Sequence, residues 1–343
     1  RSGAGSARAS PLSREPPPSR APPPGRAPPP SRAPPPPPRR LHVALQRGCN
    51  ARHKVVPWKE ALRLLDGLRT KGVEPGVDEY NHAINRCAKG GQRKRALELV
   101  ETMRRRGVAP NVITYSSAIH ACARGGEWQR ALELLETMRR RGVEPNAVSY
   151  NSAIDACAKG GAWERALGLA EEMRARGVEP TEVTYNAAIN ACAKGGAWER
   201  ALRLLEEMRR RGAVEPTAVS YNSAIHACAR AGAWARAVGL LDEMARHGVE
   251  PNERSYASAI DACAKVGAWE RAVGLLETMA RRGVEPGERS YTSAVDACAK
   301  GGEWERALEM VGRMGRRGVA PTLTTYGAAL SACARAAQPE RAL

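Results

Sequence analysis

The sequence predicts an all-α fold, a right-handed superhelical α-solenoid of two-helix repeats. Three observations predict it: a block of about 35 residues recurs eight times, apolar residues in each block follow helical spacing, and Gly and Pro end each helical stretch. A unit of this size cannot bury its own apolar face, so neighbouring copies must cover it.

The copies stay in one register, apart from one extra residue near Ala213. They begin at Val77, Val112, Ala147, Glu182, Ala218, Glu253, Glu288 and Leu323. Because the register is kept, one position of the repeat recurs along one line of the surface. We call each such set of equivalent residues a column.

Each copy divides into two helices. In the second copy, an apolar stripe over residues 115–122 at i, i+3, i+4 and i+7 predicts the first helix. Gly125 and Gly126 end it, since Gly accepts the left-handed conformation of a helix C-terminus. A second stripe over residues 128–138 predicts the second helix, which Pro145 prevents from continuing.

The chain has three predicted segments. Residues 1–56 are predicted to be disordered, because residues 1–40 hold fifteen Pro, eight Arg and one acidic residue. This composition suits an organellar transit peptide as well as a Pro-rich linker, and both interpretations stay open. Residues 57–76 look like the second helix and closing loop of a degenerate copy. Residues 77–343 hold the eight repeats, the last of which we expect to be truncated.

Charge and motif content narrow the classes of function. The net charge of +18 is compatible with a polyanionic partner. No apolar run is long enough to span a bilayer, which excludes a membrane protein. We find no metal-binding, phosphate-loop or nucleophile motif, and therefore predict no enzyme, no cofactor and no small-molecule substrate. His120 and His226 are interpreted as surface variation.

Eight of the nine cysteines form one column. They are Cys87, Cys122, Cys157, Cys192, Cys228, Cys263, Cys298 and Cys333. Their spacing equals the repeat length, which suits neither a zinc site nor disulfides. We predict that they are small buried residues between helices, in a reducing compartment.

Two aromatic columns are also predicted to pack in the core. One lies on the stripe of the first helix: Tyr80, Tyr115, Tyr150, Tyr185, Tyr221, Tyr256, Tyr291 and Tyr326. The other opens the second helix: Trp128, Trp163, Trp198, Trp234, Trp269 and Trp304. Because the chain has no Phe, we expect the Trp rings to supply the bulk of the core between repeats.

A basic residue ends every first helix. This cation column consists of Lys89, Arg124, Lys159, Lys194, Arg230, Lys265, Lys300 and Arg335. Cations complement the dipole at a helix C-terminus, which gives the column a structural explanation. One cation per repeat also matches a phosphate backbone, so both explanations stay open.

The repeat pattern as a whole points to a known family. T/S-Y-N-x-A-I, then A-C-A-K-G-G, W-E-R-A-L-x-L-x-E-M and G-V-E-P-N/T, resembles the pentatricopeptide repeat over residues 77–343. The resemblance is specific, because the tetratricopeptide repeat has a period of about 34 residues and another signature. It implies sequence-specific binding of single-stranded RNA, with one base read by each repeat.

In that family a base is read by the residue after the Tyr and the residue after the closing Pro, together called here a reading pair. Numbered one to seven, the pairs are Asn81/Asn111, Ser116/Asn146, Asn151/Thr181, Asn186/Thr217, Asn222/Asn252, Ala257/Gly287 and Thr292/Thr322. The Asn and Thr residues after Pro, which include Thr322, also suit the N-cap of the following helix, and the two roles are compatible.

The resemblance further implies that the residue two before the Tyr wedges between bases. Ile113, Val148, Val183 and Val219 fit this wedge position, which Asp78, Arg254, Arg289 and Thr324 occupy in the other copies. The sixth pair has no side chain that can hydrogen-bond a base. We therefore place the reading core at residues 77–252 and expect a target 5′-Y-A-Y-Y-Y, little selectivity at the sixth base and a purine at the seventh.

The leading hypothesis is RNA binding in a plastid or mitochondrion, acting in RNA processing, stability or translation. RNA-processing or translation proteins are the further expected partners. The alternative is a helical-repeat scaffold for protein–protein interaction. A cation column beside polar reading pairs favours RNA, since a peptide groove would place apolar or acidic residues there.

Overall fold

A computed structural model describes residues 57–212 and 214–336, in which all secondary structure is helical. The predictions for residues 1–56, for Ala213 and for residues 337–343 lie outside this part of the chain. The helices are α1 (Trp58–Thr70), α2 (Val77–Lys89), α3 (Arg93–Arg105), α4 (Val112–Arg124), α5 (Trp128–Arg140), α6 (Ala147–Lys159), α7 (Trp163–Ala175), α8 (Glu182–Gly195), α9 (Trp198–Arg211), α10 (Ala218–Ala231), α11 (Trp234–Arg246), α12 (Glu253–Val266), α13 (Trp269–Arg281), α14 (Glu288–Gly301), α15 (Trp304–Arg316) and α16 (Leu323–Arg335).

The eight predicted copy starts are each the first residue of a helix, from α2 to α16 in even numbers. These first helices alternate with second helices, so the predicted hairpin repeat is confirmed. Gly126 ends α4 with a φ of 69°, in the left-handed region that L side chains avoid. The Gly-Gly pair thus ends the helix as predicted, through its second member. None of the described helices is long and apolar enough to cross a bilayer.

The hairpins stack as an all-α solenoid with two layers. Each first helix packs against the first helix of the next copy and against the second helices on either side of it. Second helices pack on first helices, and successive second helices are joined by side-chain ion pairs such as Arg174 with Glu207 at 2.8 Å. The first helices therefore form a continuous layer, in which equivalent residues of successive copies come close together. Helix α1 packs on α2 in the manner of a second helix.

The core consists of Tyr, Ile, Cys and Ala from first helices and Ala, Leu and Met from second helices. Tyr150, Ile154 and Cys157 are buried, as their column positions predict. All eight column cysteines are buried free thiols. Burial raises the pKa of the Cys157 thiol to about 11, so the thiol is protonated at neutral pH. Tyr326 is the exception in its column, because no further copy packs on α16 within residues 57–336, and the prediction that it packs in the core is wrong.

The Trp column takes a smaller part in the core than predicted. Trp128 and Trp163 are only half-buried and pack at its edge, whereas Tyr150 and Met173 are fully covered. The reason is the packing partner. The Trp ring lies against the end of the next first helix, where a Cβ on Gly160 would collide with Trp128. The ring therefore covers a helix end and keeps one side in solvent.

Candidate nucleic-acid interface

The two members of a reading pair meet where one repeat joins the next. Asn81 Nδ2 donates a hydrogen bond to Asn111 Oδ1 at 3.2 Å, and Asn222 Nδ2 donates to Asn252 Oδ1 at 3.4 Å. The third pair is joined in the same way. Residues 30 positions apart therefore form one polar site at each of these junctions.

The closing residue of a reading pair also begins the next first helix. Asn111, Asn146 and Asn252 each accept the N–H of the third helical residue at 3.1 Å, so the N-cap interpretation is confirmed for these three. At Thr181 the bond runs the other way, and its backbone N–H donates to Thr184 Oγ1 at 2.9 Å. Capping holds these side chains at the junction, where a ligand on the first-helix layer would meet them.

A column of buried hydroxyls, which the sequence analysis did not single out, holds the reading amides. It is the residue before each Tyr from the second copy onward: Thr114, Ser149, Thr184, Ser220, Ser255, Ser290 and Thr325. Thr114 Oγ1 donates to Asn81 Oδ1 at 2.5 Å, and Ser255 Oγ donates to Asn222 Oδ1 at 2.6 Å. Because the amide oxygen is held, the direction of the amide N–H groups is fixed. The recurrence of Ser or Thr at this position was the available sequence signal.

The seventh pair departs from the expected arrangement, and Thr322 is the residue at which it does so. Thr292 Oγ1 lies 2.8 Å from Thr325 Oγ1 and makes no hydrogen bond to Thr322 within the described chain. Thr322 Oγ1 lies instead 2.8 Å from Thr324 Oγ1 and 3.1 Å from Thr325 Oγ1. The two members of this pair are therefore connected only through the Thr325 hydroxyl.

Thr322 is the N-cap residue of α16, so the N-cap interpretation is confirmed for its position, although its side chain makes no cap hydrogen bond. Its backbone N–H donates to Thr325 Oγ1 at 3.3 Å, so the contact runs from backbone to hydroxyl. The physical reason is side-chain length. A Thr hydroxyl is shorter than an Asn amide, and Thr324 at the polar wedge position offers it a nearer partner. The part of Thr322 in reading a base stays a prediction.

The polar pattern is interrupted at the sixth pair. Ala257 and Gly287 offer no polar side-chain atom, and the buried Ser290 Oγ has no partner in the described part of the chain. Ser255 and Ser290 lie in the same tetrapeptide, E-R-S-Y, one copy apart. One hydroxyl therefore completes a hydrogen-bond network, and its equivalent does not.

Replacing Ser255 by Ala is expected to lower the free energy of unfolding by about 1–3 kcal/mol, because the Asn222 Oδ1 acceptor loses its buried donor. Replacing Ser290 by Ala should leave stability unchanged or raise it, since that hydroxyl is already unpaired. Urea unfolding of the two variants measures both changes. An equal decrease in the free energy of unfolding of the two variants would contradict the hydrogen-bond network assigned to Ser255.

The fourth pair has a different arrangement, caused by an acidic residue. Glu182 Oε1 accepts hydrogen bonds from Asn186 Nδ2 at 3.2 Å and from Thr217 Oγ1 at 2.8 Å. Asn186 Oδ1 is then buried without a partner among the described residues. The glutamate is the first residue of its copy, and it reaches both members of the reading pair.

The wedge position is exposed in the copies where it is apolar. Ile113, Val148, Val183 and Val219 have 57–61% of their surface in solvent, which is unusual for β-branched apolar residues in a packed fold. The polar occupants of the same column are exposed too. A row of exposed apolar side chains beside polar pairs suits a ligand with flat apolar faces and polar edges.

The cation column is exposed throughout, but its members have different partners. Arg124 donates to the Lys89 carbonyl at 2.8 Å, and Lys265 donates to the Arg230 carbonyl at 3.1 Å. These bonds satisfy the end of the preceding first helix, so the structural explanation holds for these positions. Lys159 and Lys300 instead pair with an Asp one turn earlier, each at 2.6 Å. Lys194 forms no hydrogen bond or ion pair with another described residue.

His120 and His226 are half-buried on the first helices rather than fully exposed surface variants. Burial lowers the pKa of both imidazoles below 6.5, and Arg289 lowers that of His226 further. Both are therefore neutral at pH 7. Across the described residues, no group of three or more His, Cys, Asp or Glu side chains is arranged to hold a metal ion.

Comparison with known proteins places this geometry in a family. The sequence-family model described as the pentacotripeptide-repeat region of PRORP matches residues 40–215, 120–277 and 209–343. The chain belongs to the pentatricopeptide-repeat family. No curated protein matches it in sequence.

Two solved structures of pentatricopeptide-repeat proteins are similar to the chain. The crystal structure of PPR10 from maize is 28% identical, with a TM-score of 0.60. That of PPR10 in complex with an 18-nt psaJ RNA element is 25% identical, with a TM-score of 0.56. Each match covers 88% of this chain and 49% of the other, so the chain spans about half the length of these relatives.

Proposed function

We propose that the chain binds single-stranded RNA sequence-specifically, with one base at each reading pair. The observation that carries this proposal is the arrangement of three columns on the first helices. The junctions other than the sixth have a polar pair, four successive copies place an exposed apolar residue beside it, and a cation lies in the last turn of the same helix. PPR10, whose fold this chain shares, is seen in complex with an RNA element.

Each of the three columns would contact the part of the RNA that matches its chemistry. Amide and hydroxyl groups of the reading pairs hydrogen-bond to base edges, as in other one-base-per-repeat proteins. The apolar wedge residues pack against base faces. Cations such as Lys194 contact phosphates, which makes binding salt-dependent. In this proposal the column cations that bond carbonyls or Asp side chains contribute to stability as well.

The seventh pair takes part in this proposal with its own hydrogen bonding. Thr292 and Thr322 each keep a hydroxyl at the junction, and a hydroxyl can both donate to and accept from a base edge. We propose that they contact a purine there. Because Thr322 shares its hydroxyl with Thr324 and Thr325, its contact with the base should contribute less than that of an Asn amide.

In the cell, we propose that the chain occupies transcripts of a plastid or mitochondrion. Occupation would protect RNA ends, alter RNA folding or recruit RNA-processing and translation proteins. Such effects need no reaction at the repeats, and the thiols of the Cys column are buried. The protein-interaction scaffold is the alternative that the same experiment addresses.

The test is selection of RNAs from a random single-stranded pool by the whole chain, at about physiological salt, where non-specific phosphate binding is weak. We expect enrichment of a motif that contains Y-A-Y-Y-Y. Retention of RNA without an enriched motif would show that the cations bind phosphate and that the reading pairs do not distinguish between bases. Absence of retention would contradict RNA binding and favour the scaffold.

A further inference from the structure

We infer that the sixth junction, at Ala257 and Gly287, is a base-binding site of different chemistry, in which the Glu253 carboxylate replaces the missing reading side chains and selects guanine. This inference rests on the proposed function, since it concerns the same first-helix layer. It replaces the sequence-based expectation that the sixth base is read with little selectivity.

The first observation is the position of the carboxylate. A Cβ on Gly287 would lie 3.1 Å from Glu253 Oε1. In each of the other six pairs the equivalent residue is an Asn or a Thr, which brings its own polar atoms to the junction. Because Gly287 has no side chain, the carboxylate lies directly beside the point where that side chain would begin.

The second observation comes from the fourth copy. Glu182 occupies the same column as Glu253, and it hydrogen-bonds both Asn186 and Thr217 at 3.2 and 2.8 Å. A glutamate at the first position of a copy therefore has the length and direction to act within the reading pair. In the fourth copy the Glu182 carboxylate already accepts hydrogen bonds from Asn186 and Thr217. In the sixth copy Ala257 and Gly287 have no side-chain donor for the Glu253 carboxylate.

The third observation is that the site is incomplete without a ligand. Ser290 is fully buried, and its hydroxyl lies in the column that holds reading amides elsewhere. It has no hydrogen-bond partner among the described residues, and such a buried donor costs stability. Glu253 is exposed and forms no hydrogen bond or ion pair within the described chain. A polar site with two unused groups suits a polar ligand.

The surrounding charge allows an anionic side chain to meet RNA. Arg254 and Arg289 take the wedge position in the sixth and seventh copies, and both are exposed. Both lie close enough to His226 to disfavour its protonation, so both guanidinium groups belong to this part of the first-helix layer. These two positive charges therefore reduce the electrostatic repulsion between the Glu253 carboxylate and the phosphate backbone.

The chemistry of the carboxylate selects the base. An ionised carboxylate only accepts hydrogen bonds, and it can accept two side by side. Guanine presents adjacent N1–H and N2–H donors on its Watson–Crick edge, which match this geometry. Adenine and cytosine present one amino group beside a ring-nitrogen acceptor, and uracil places carbonyl oxygens on both sides of its N–H. The absence of side chains at Ala257 and Gly287 leaves room for a purine.

The test measures binding of the whole chain to four RNAs that differ only at the sixth base, with the expected bases at the other read positions. We expect guanine to bind about tenfold more tightly than uracil, as for one good bidentate contact. Glu253→Gln should reduce that ratio to about threefold or less, because an amide replaces one acceptor by a donor. An unchanged ratio in this variant, or equal binding of the four RNAs, would overturn the inference.

Glu288→Gln is the matched control, since Glu288 lies in the same column beside the polar Thr292/Thr322 pair, and it should leave the sixth-base ratio unchanged. A second variant, A257N with G287N and E253Q, rebuilds an Asn/Asn pair like the fifth one and should shift the preference to a pyrimidine. Adenine selectivity at the second base is measured in parallel. Its loss in the unmodified chain would count against the proposed function, whereas its retention with an unselective sixth base would count against Glu253 alone.

Discussion

Replacing the four apolar wedge residues, Ile113, Val148, Val183 and Val219, by Thr is expected to weaken RNA binding about a hundredfold without loss of stability. These side chains are more than half exposed in the free protein and would be covered by bases in the complex. Burial of such a surface contributes roughly 0.7 kcal/mol for each residue. Four of them together give about 2.8 kcal/mol, which corresponds to about two orders of magnitude in affinity.

Val266→Thr is the matched control for the wedge variant. Val266 is also an exposed valine of a first helix, at 52%, but it ends α12 and lies outside the wedge column. Its replacement should leave RNA affinity unchanged. Affinity is measured by fluorescence anisotropy with the selected RNA, and stability by urea unfolding. Equal affinity of the four-residue variant and the parent chain would show that these residues do not touch bases.

The fold was predictable because each boundary is specified locally. Val112 and Ala147 each follow a Pro-Asn pair, and a Gly-Gly pair ends each of the helices that they begin. Caps and glycines act within a few residues, so a single copy contains enough information, and eight copies repeat it. The columns follow from the register, and for this reason the burial of Tyr150 and Cys157 was also correctly predicted.

The Trp column shows where prediction from residue type ended. Size and apolarity suggested that Trp rings such as Trp128 would supply the bulk of the core between repeats, yet this ring lies against the end of the next first helix, at Gly160. Whether a large side chain lies inside a core or at its edge depends on the angle between neighbouring repeats. The contact between Trp128 and Gly160 joins residues 32 positions apart in two copies, which the periodicity within one copy does not describe.

The chemistry of the junctions was likewise only partly predictable. Asn81 and Asn111 were identified by their columns, but the hydrogen bond between them depends on the side-chain rotamers of two copies. Thr322 belongs to the same column as Asn111, yet its hydroxyl bonds the hydroxyls of Thr324 and Thr325 rather than that of Thr292. Glu182 appears in the sequence as one more acid in the first turn of a helix, and only the stacked copies show that it reaches its reading pair.

Replacing Ser116 by Thr together with Asn146 by Asp is expected to change the preferred second base from adenine to guanine. Ser116 Oγ lies 2.8 Å from Ser149 Oγ, and Asn146 caps α6, so both positions are fixed within the junction. Asp caps a helix as well as Asn does, and the fold should be retained. The new carboxylate accepts the donors of guanine and repels the N1 acceptor of adenine.

We expect the ratio of affinities for adenine and guanine at that base to reverse by roughly tenfold in each direction, the range of one good polar contact to a base. Two RNAs that differ only at the second base measure it, and Asn146→Asp alone separates the carboxylate from the added methyl group. An unchanged preference for adenine would contradict base reading by this pair. The experiment complements Glu253→Gln. A carboxylate added to the second junction should create a preference for guanine there, and removal of the carboxylate from the sixth junction should abolish the preference for guanine at that base. Agreement of the two results would show that the position of a carboxylate at a junction, whichever residue supplies it, determines the base.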